Sequence, residues 1–204
     1  MAGARRGRAG ALLRVGLYRA LRDVAVRPLA RLLYRVEIVG RVPPGAVVVA
    51  ANHESLLDPP LLALAADQPL HFLAKVELWR YPPGAWLMDA LGGIPITRDR
   101  RDRDALGRAL ELLDAGDGVA LFPEGTVRGG AWTRGAARLA LAAGVPLVPV
   151  RIVGTAKALS RGRVGFPCVR LVVGEPIQVE RGRPTVAAAR ALTNQLAARV
   201  RGLS

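Results

Sequence analysis

The sequence predicts an α/β fold: a single domain, a largely parallel sheet flanked by helices. Three observations carry that expectation. Short apolar runs rich in Val, Leu and Ala alternate with stretches of helical periodicity, the pattern of strands that return through helices. Clusters of Gly, Pro and Asp punctuate the runs, where each element has to stop. At 204 residues the chain suits one domain with a sizeable core and leaves no room for a second catalytic module.

Residues 11–34 interleave leucines and valines with Arg14, Arg19, Arg22, Arg27 and Arg31. No run of about 18 uncharged apolar residues occurs, so a membrane-spanning helix is not expected. Arginines also interrupt the apolar core that a signal peptide requires. The segment 1–34 is instead expected to be a basic amphipathic element, broken at Arg27-Pro28 and lying on an anionic leaflet. The alternative is a basic-faced helix packed on the domain.

A strand is expected over Arg35–Val39, then a turn at Val42-Pro43-Pro44-Gly45 and a strand over 46–51. Asp58-Pro59-Pro60 opens a helix to residue 66, since Pro suits a first turn. Residues 72–75 and 93–98 form short strands, with a short helix over 86–91 between them. An amphipathic helix over 102–115 has an acid at its start and Gly116 after its end. The remainder alternates: strand 119–122, helix 136–143, strand Leu147–Val153, strand 169–173 and helix 185–200.

The chemistry-bearing residues fall at the ends of these strands, where open α/β sheets build their sites. Residues 52–58 read Asn-His-Glu-Ser-Leu-Leu-Asp, directly after the apolar run Val47-Val48-Val49-Ala50-Ala51. The chain has two histidines, His53 and His71, so candidate bases are few. An imidazole takes a proton from a hydroxyl near neutral pH, and a carboxylate holds its tautomer and stabilises its charged form. If the chain turns helical after His53, Asp58 lies little more than a turn on, within reach of the ring. A histidine capping a helix beside an unrelated Asp is the alternative for this septet alone. Further strand ends offer Arg98, after Gly93-Ile94-Pro95-Ile96-Thr97, and Glu124-Gly125-Thr126, after Val119–Pro123.

Four ordered blocks make the sequence resemble the glycerolipid acyltransferase family, the lysophosphatidic acid and glycerol-3-phosphate acyltransferases. They are Asn52, His53, Ser55 and Asp58; Gly93, Ile94 and Arg98; Phe122 to Thr126; and Val145 to Val150. Smaller echoes are Ala74-Lys75-Val76-Glu77-Leu78 and Arg134-Gly135-Ala136. The resemblance covers about residues 36–175, with 35–204 as the acyltransferase domain. It departs from the family after Glu-Gly-Thr, where an Arg is common but Val127 stands here and Arg128 follows; this leaves the acceptor headgroup open.

The resemblance implies transfer of a fatty acyl group from acyl-CoA or acyl carrier protein to the hydroxyl of lysophosphatidic acid in phospholipid biosynthesis. Glycerol-3-phosphate or another lysophospholipid or glycolipid is the alternative acceptor. No cofactor is implied, because the thioester is already activated. His53 would be the general base and Asp58 its orienting partner. Arg98 would hold the acceptor phosphate as a bidentate donor, helped by the backbone N–H groups of Gly125 and Thr126. Glu124 would fix Arg98 or accept an acceptor hydroxyl, and Arg128 would replace the family's arginine. Ser55 as a nucleophile is disfavoured: it lies two residues from His53 and no G-x-S-x-G elbow occurs, so local hydrogen bonding is expected.

Charge is distributed unevenly. Residues 1–41 hold ten Arg against Asp23 and Glu37, a balance of +8, and residues 181–204 hold five Arg and no acid, of a total +14. Basic ends call for an anionic partner. With 4% aromatics and no basic–aromatic platform, a membrane surface is expected and nucleic acid is not. The expected location is the cytoplasmic face of the cell membrane, peripheral or monotopic. A non-enzymatic anionic-lipid binder would have no need of a paired base. The single Cys168 lies in the apolar run 164–173 and is expected to be a buried small side chain. His71 is expected in an exposed loop, and no metal site is expected from one Cys and two His. Lys75 is either a phosphate contact or a solvated strand-end residue. The apolar run 79–91 fits an acyl channel or a buried helix equally well.

Overall fold

The computed structural model describes residues 22–97, 103–126, 130–160 and 163–204. A π-helical turn, Arg22–Val26, leads directly into α1, Arg27–Leu33. Pro28 sits in the first turn of α1, where no partner for its missing N–H is needed, so the expected break is only a change of pitch. Then follow β1, Arg35–Val39; β2, Val47–Ala51; α2, Asp58–Ala63; and β3, Leu70–Lys75. α3, Pro82–Ala90, and β4, Ile94–Ile96, precede α4, Arg103–Asp114. β5, Gly118–Leu121; α5, Gly135–Ala143; and β6, Leu147–Val153, complete the central part. A small hairpin of β7, Leu159–Ser160, and β8, Arg163–Val164, precedes β9, Cys168–Val173, and α6, Val186–Gly202. The hairpin was not expected; its strands are two residues each, too short to show a periodicity.

The main sheet runs β1-β9-β6-β2-β5-β3-β4. Its pairings are parallel except β6 with β9, as the largely parallel expectation requires. β2 is central and buried along its length because both its faces are covered. Val47, Val49 and Ala51 pack with Ala30 and Tyr34 of the α1 end and with Leu61 and Leu62 of α2. Val48 and Ala50 pack with Ala109 of α4, Ala137 and Ala140 of α5 and Leu196 of α6. Alanine on the buried face of α5 lets that helix lie close to the sheet; each buried Val or Leu on the strands contributes about 1.5–3 kcal/mol. Thr185 caps α6 by accepting the N–H of Ala188 at 3.2 Å.

Four expectations need correction. The boundary at residue 34 does not separate the described part of the basic segment from the domain, since Ala30 and Tyr34 belong to the same core as Val150 and Leu171. Cys168 is exposed. β9 alternates, turning Cys168 and Arg170 outward while Val169 and Leu171 are buried. The end of α6 meets Arg151, whose guanidinium donates to the carbonyls of Arg201 and Leu203 at 2.6 and 3.0 Å. His71 is a partly buried strand residue, with Nδ1 3.2 Å from the Gly92 carbonyl and Nε2 3.5 Å from Asp117 Oδ2. Finally, α3 is a surface helix: Met88 is buried, but Tyr81 and Trp86 are 69% and 70% exposed.

Candidate active site

β2, β5 and β6 run parallel and end side by side at one sheet edge. His53 leaves the end of β2, two residues past Ala51. Its Nδ1 lies 2.8 Å from Asp58 Oδ2. The same oxygen accepts the backbone N–H groups of Glu54 and Ser55 at 2.7 and 2.8 Å. An oxygen that accepts from two amides meets the ring as an acceptor too, which assigns the proton to Nδ1 and leaves Nε2 as the basic atom.

The pair is brought together differently from the spacing argument. The helix begins at Asp58, not after His53; residues 54–57 instead fold a turn around the carboxylate, closed by Asp58 N–H to the Ser55 carbonyl at 3.1 Å. Asp58 is wholly buried, and the His53 side chain is 14% exposed. Pro59 and Pro60 fill the first turn of α2, where their missing N–H groups leave nothing unpaired. Ser55 is buried, and its hydroxyl accepts the Leu57 N–H at 3.3 Å; it supports the turn, as local capping requires.

From β5, Phe122 stacks its ring on His53 at 4.2 Å with 18° between the planes. Glu124 and Thr126 are half-buried beyond it. Gly125 adopts φ +64°, a conformation glycine enters without strain. Its N–H donates to the Phe122 carbonyl at 2.9 Å, so it closes the turn and is not directed at an anion. Arg98 and Arg128 lie outside the described residues. β4, which precedes Arg98, ends at this same edge by its parallel pairing with β3. Lys75, partly buried, ends β3 there as well.

From β6 come contacts that the sequence did not reveal. Asn52 Nδ2 donates to the Ile152 carbonyl at 2.7 Å, and Asn52 Oδ1 accepts the Ile152 N–H at 2.7 Å. The Glu54 carboxylate faces the backbone amides of Ala156 and Gly154 and accepts from Asn52 Nδ2 at 3.4 Å. Burial pushes the Glu54 carboxyl above its ordinary 4.5, with Asp58 and Glu124 adding repulsion, while the two amides act in the other direction. Asn52 and Phe122 stood in recognised motifs without a role, and Glu54 in none. The one local signal was Val153-Gly154, a glycine at a strand exit. Among the described residues no group of three His, Cys, Asp or Glu is arranged to hold a metal.

The acyltransferase family model matches residues 34–153, which contain every site element described above except residues 154–156. A chloroplastic 1-acyl-sn-glycerol-3-phosphate acyltransferase of Brassica napus is 35% identical over 139 residues, covering 64% of this chain and 40% of that protein. A lyso-ornithine lipid O-acyltransferase of Pseudomonas aeruginosa is 37% identical over 131 residues, covering 62% of this chain and 50% of that protein. The chain thus matches about half or less of the length of these relatives. The crystal structure of a 1-acyl-sn-glycerophosphate acyltransferase from Thermotoga maritima superposes with a TM-score of 0.67 at 27% identity, covering 95% of this chain and 86% of that one.

Proposed function

The chain belongs to the acyltransferase family, and on that premise we propose that it transfers a fatty acyl group from an acyl thioester, on CoA or a carrier protein, to the free hydroxyl of lysophosphatidic acid. The observation that carries this is the His53 Nδ1–Asp58 Oδ2 contact of 2.8 Å at the end of the central strand. With Nδ1 so held, Nε2 removes the acceptor hydroxyl proton as the oxygen attacks the thioester carbonyl. The C–S bond breaks, the new ester forms, and the leaving thiolate takes the proton back from Nε2. Buried Asp58 stabilises the transient imidazolium. No covalent enzyme intermediate and no cofactor are needed.

Arg98 and Arg128 are assigned to the acceptor phosphate, whose geometry a guanidinium fork matches, with Glu124 and Thr126 lining the approach. The described end of the basic segment is assigned to an anionic membrane surface. Val24, Leu29 and Leu32 are 78%, 55% and 82% exposed beside Arg27 and Arg31. No helix of the described residues is long and apolar enough to cross a membrane, so the proposed association is peripheral, at the cytoplasmic leaflet.

The test is an acceptor panel with labelled acyl-CoA and acyl carrier protein, read by lipid mass spectrometry. His53-dependent acylation of lysophosphatidic acid is expected, and no transfer to any phosphate-bearing acceptor would overturn the assignment. Acylation of lyso-ornithine lipid alone would favour a second reading, supported by the Pseudomonas relative and by Val127 standing where the family commonly has Arg.

A further inference from the structure

We infer that the exit of β6, residues 152–156, is the template that fixes the backbone of the catalytic base, with Asn52 and Glu54 as positioning residues of His53. This deepens the acyl-transfer reading and rests on it for the meaning of the kinetics.

The last parallel pair between β2 and β6 is Ala51 with Val150, so backbone pairing stops two residues before His53. Asn52 extends it: its amide donates to the carbonyl and accepts from the N–H of the same residue, Ile152, both at 2.7 Å. A carboxamide presenting both a donor and an acceptor to one residue's backbone imitates a strand neighbour and fixes register. On the far side of His53, the Glu54 carboxylate faces the backbone amides of Gly154 and Ala156 and accepts a long hydrogen bond from Asn52 Nδ2 at 3.4 Å. The residue before the base is therefore bonded to this five-residue segment, and the residue after it faces the same segment and is linked to Asn52.

That segment is itself set by its glycine. Gly154 has φ +98°, and a Cβ there would run into the Cys168 carbonyl, so only glycine turns the chain to present its own N–H and that of Ala156 to Glu54. With the backbone held on both sides, the His53 ring needs no further freedom to meet Asp58 Oδ2 and Phe122. Thr155, which is wholly buried, lies in the middle of the template.

A chain with two histidines allows a direct test by nitrogen-15 NMR, with the His71 signals assigned by His71→Gln. The probe is the His53 Nδ1–H resonance, compared in Asn52→Ala, Glu54→Leu and Glu54→Gln, beside kcat and KM. Expected are broadened or fast-exchanging Nδ1–H signals in Asn52→Ala and Glu54→Leu. kcat should fall about 10–10²-fold in both, as for a misplacement near 1 Å, with KM nearly unchanged. Glu54→Gln keeps an acceptor oxygen and should recover most of both. Val200→Ala, buried in α6, is the control: it lowers the melting temperature but should keep kcat and the resonance. Sharp Nδ1–H signals and unchanged kcat in Asn52→Ala and Glu54→Leu would overturn the inference, and so would equal losses in Val200→Ala. If the parent chain transfers no acyl group, the functional reading fails, while the resonances still decide whether the template exists.

Discussion

The imidazole of His53 and the ring of Phe122 stack at 4.2 Å, nearly parallel, although they leave different strands of the sheet. The stack restrains the ring in the direction that its in-plane contact to Asp58 leaves open. It also covers one imidazole face with hydrocarbon while leaving the in-plane Nε2 lone pair free to take the proton. Phe122→Leu keeps much of the volume but loses the flat surface. A fall in kcat of roughly tenfold is expected with the fold intact by circular dichroism. Unchanged kcat would show that the Asp58 contact orients the ring by itself.

Removing the base has a larger effect than loosening it. His53→Ala should lower kcat by about 10²–10⁴-fold while leaving thermal unfolding close to that of the parent. Asp58→Asn should also impair turnover, for a reason visible in the turn. A carboxamide oxygen at the Oδ2 position keeps the two backbone bonds, but the amino group then occupies the Oδ1 position, for which the described residues supply no partner. The variant loses the charge that stabilises the imidazolium and gains a buried donor costing about 1–3 kcal/mol. A lower melting temperature together with slower turnover is the expected signature. Normal activity in a well-folded His53→Ala would exclude general-base catalysis by this residue.

The succession of strands and helices along the chain and the His53–Asp58 pair were largely legible because each is encoded locally. β2 is buried on both faces and so reads as an unbroken apolar run, and the two site residues lie five apart. What stayed hidden depends on contacts between distant segments. Asn52 meets Ile152 across 100 residues of sequence, and Phe122 reaches His53 only because β5 and β2 are neighbours. Cys168 was misplaced because the apolar run 164–173 was weighed as a whole. Arg170, outward-facing and 3.4 Å from Glu37, marked an alternation that hydropathy alone obscures. Of the two readings of residues 79–91, the buried helix does not hold, because Tyr81 and Trp86 face outward while only Met88 is buried among the large apolar side chains there.

Glu54 should leave a signature in the pH dependence of stability. Burial raises its pKa above the ordinary 4.5, so the fold favours the protonated form. The native state then binds more protons than the unfolded state over the window from 4.5 up to the raised value, and stability falls as pH rises through it. Glu54→Gln removes this titration. Compared by melting temperature across pH, the variant should gain on the parent as pH rises above about 4.5, with the gap constant once pH exceeds the raised value. Parallel curves for the two proteins would contradict the shift.

The exposed leucines of α1 predict how the protein meets a bilayer. Leu29→Glu with Leu32→Glu should weaken sedimentation with anionic vesicles, through lost apolar insertion and added repulsion. Parent binding should fall with added salt but not vanish, since insertion is not screened. The same double variant should keep its activity on short, soluble acceptors. Full vesicle binding by the variant would move the docking surface elsewhere, with the basic helix α6 next in line.

Cys168 is the only cysteine in the chain and is exposed at the start of β9. Nature has thus supplied a single attachment point for a fluorophore or spin label, without mutagenesis, on a residue whose backbone packs against Gly154. Because Cys168 borders the groove lined by Arg31 and Arg35, a reporter there sits next to the element assigned to the leaflet. Quenchers fixed at known depths in the bilayer could then triangulate how the enzyme tilts on lipid while it is turning over.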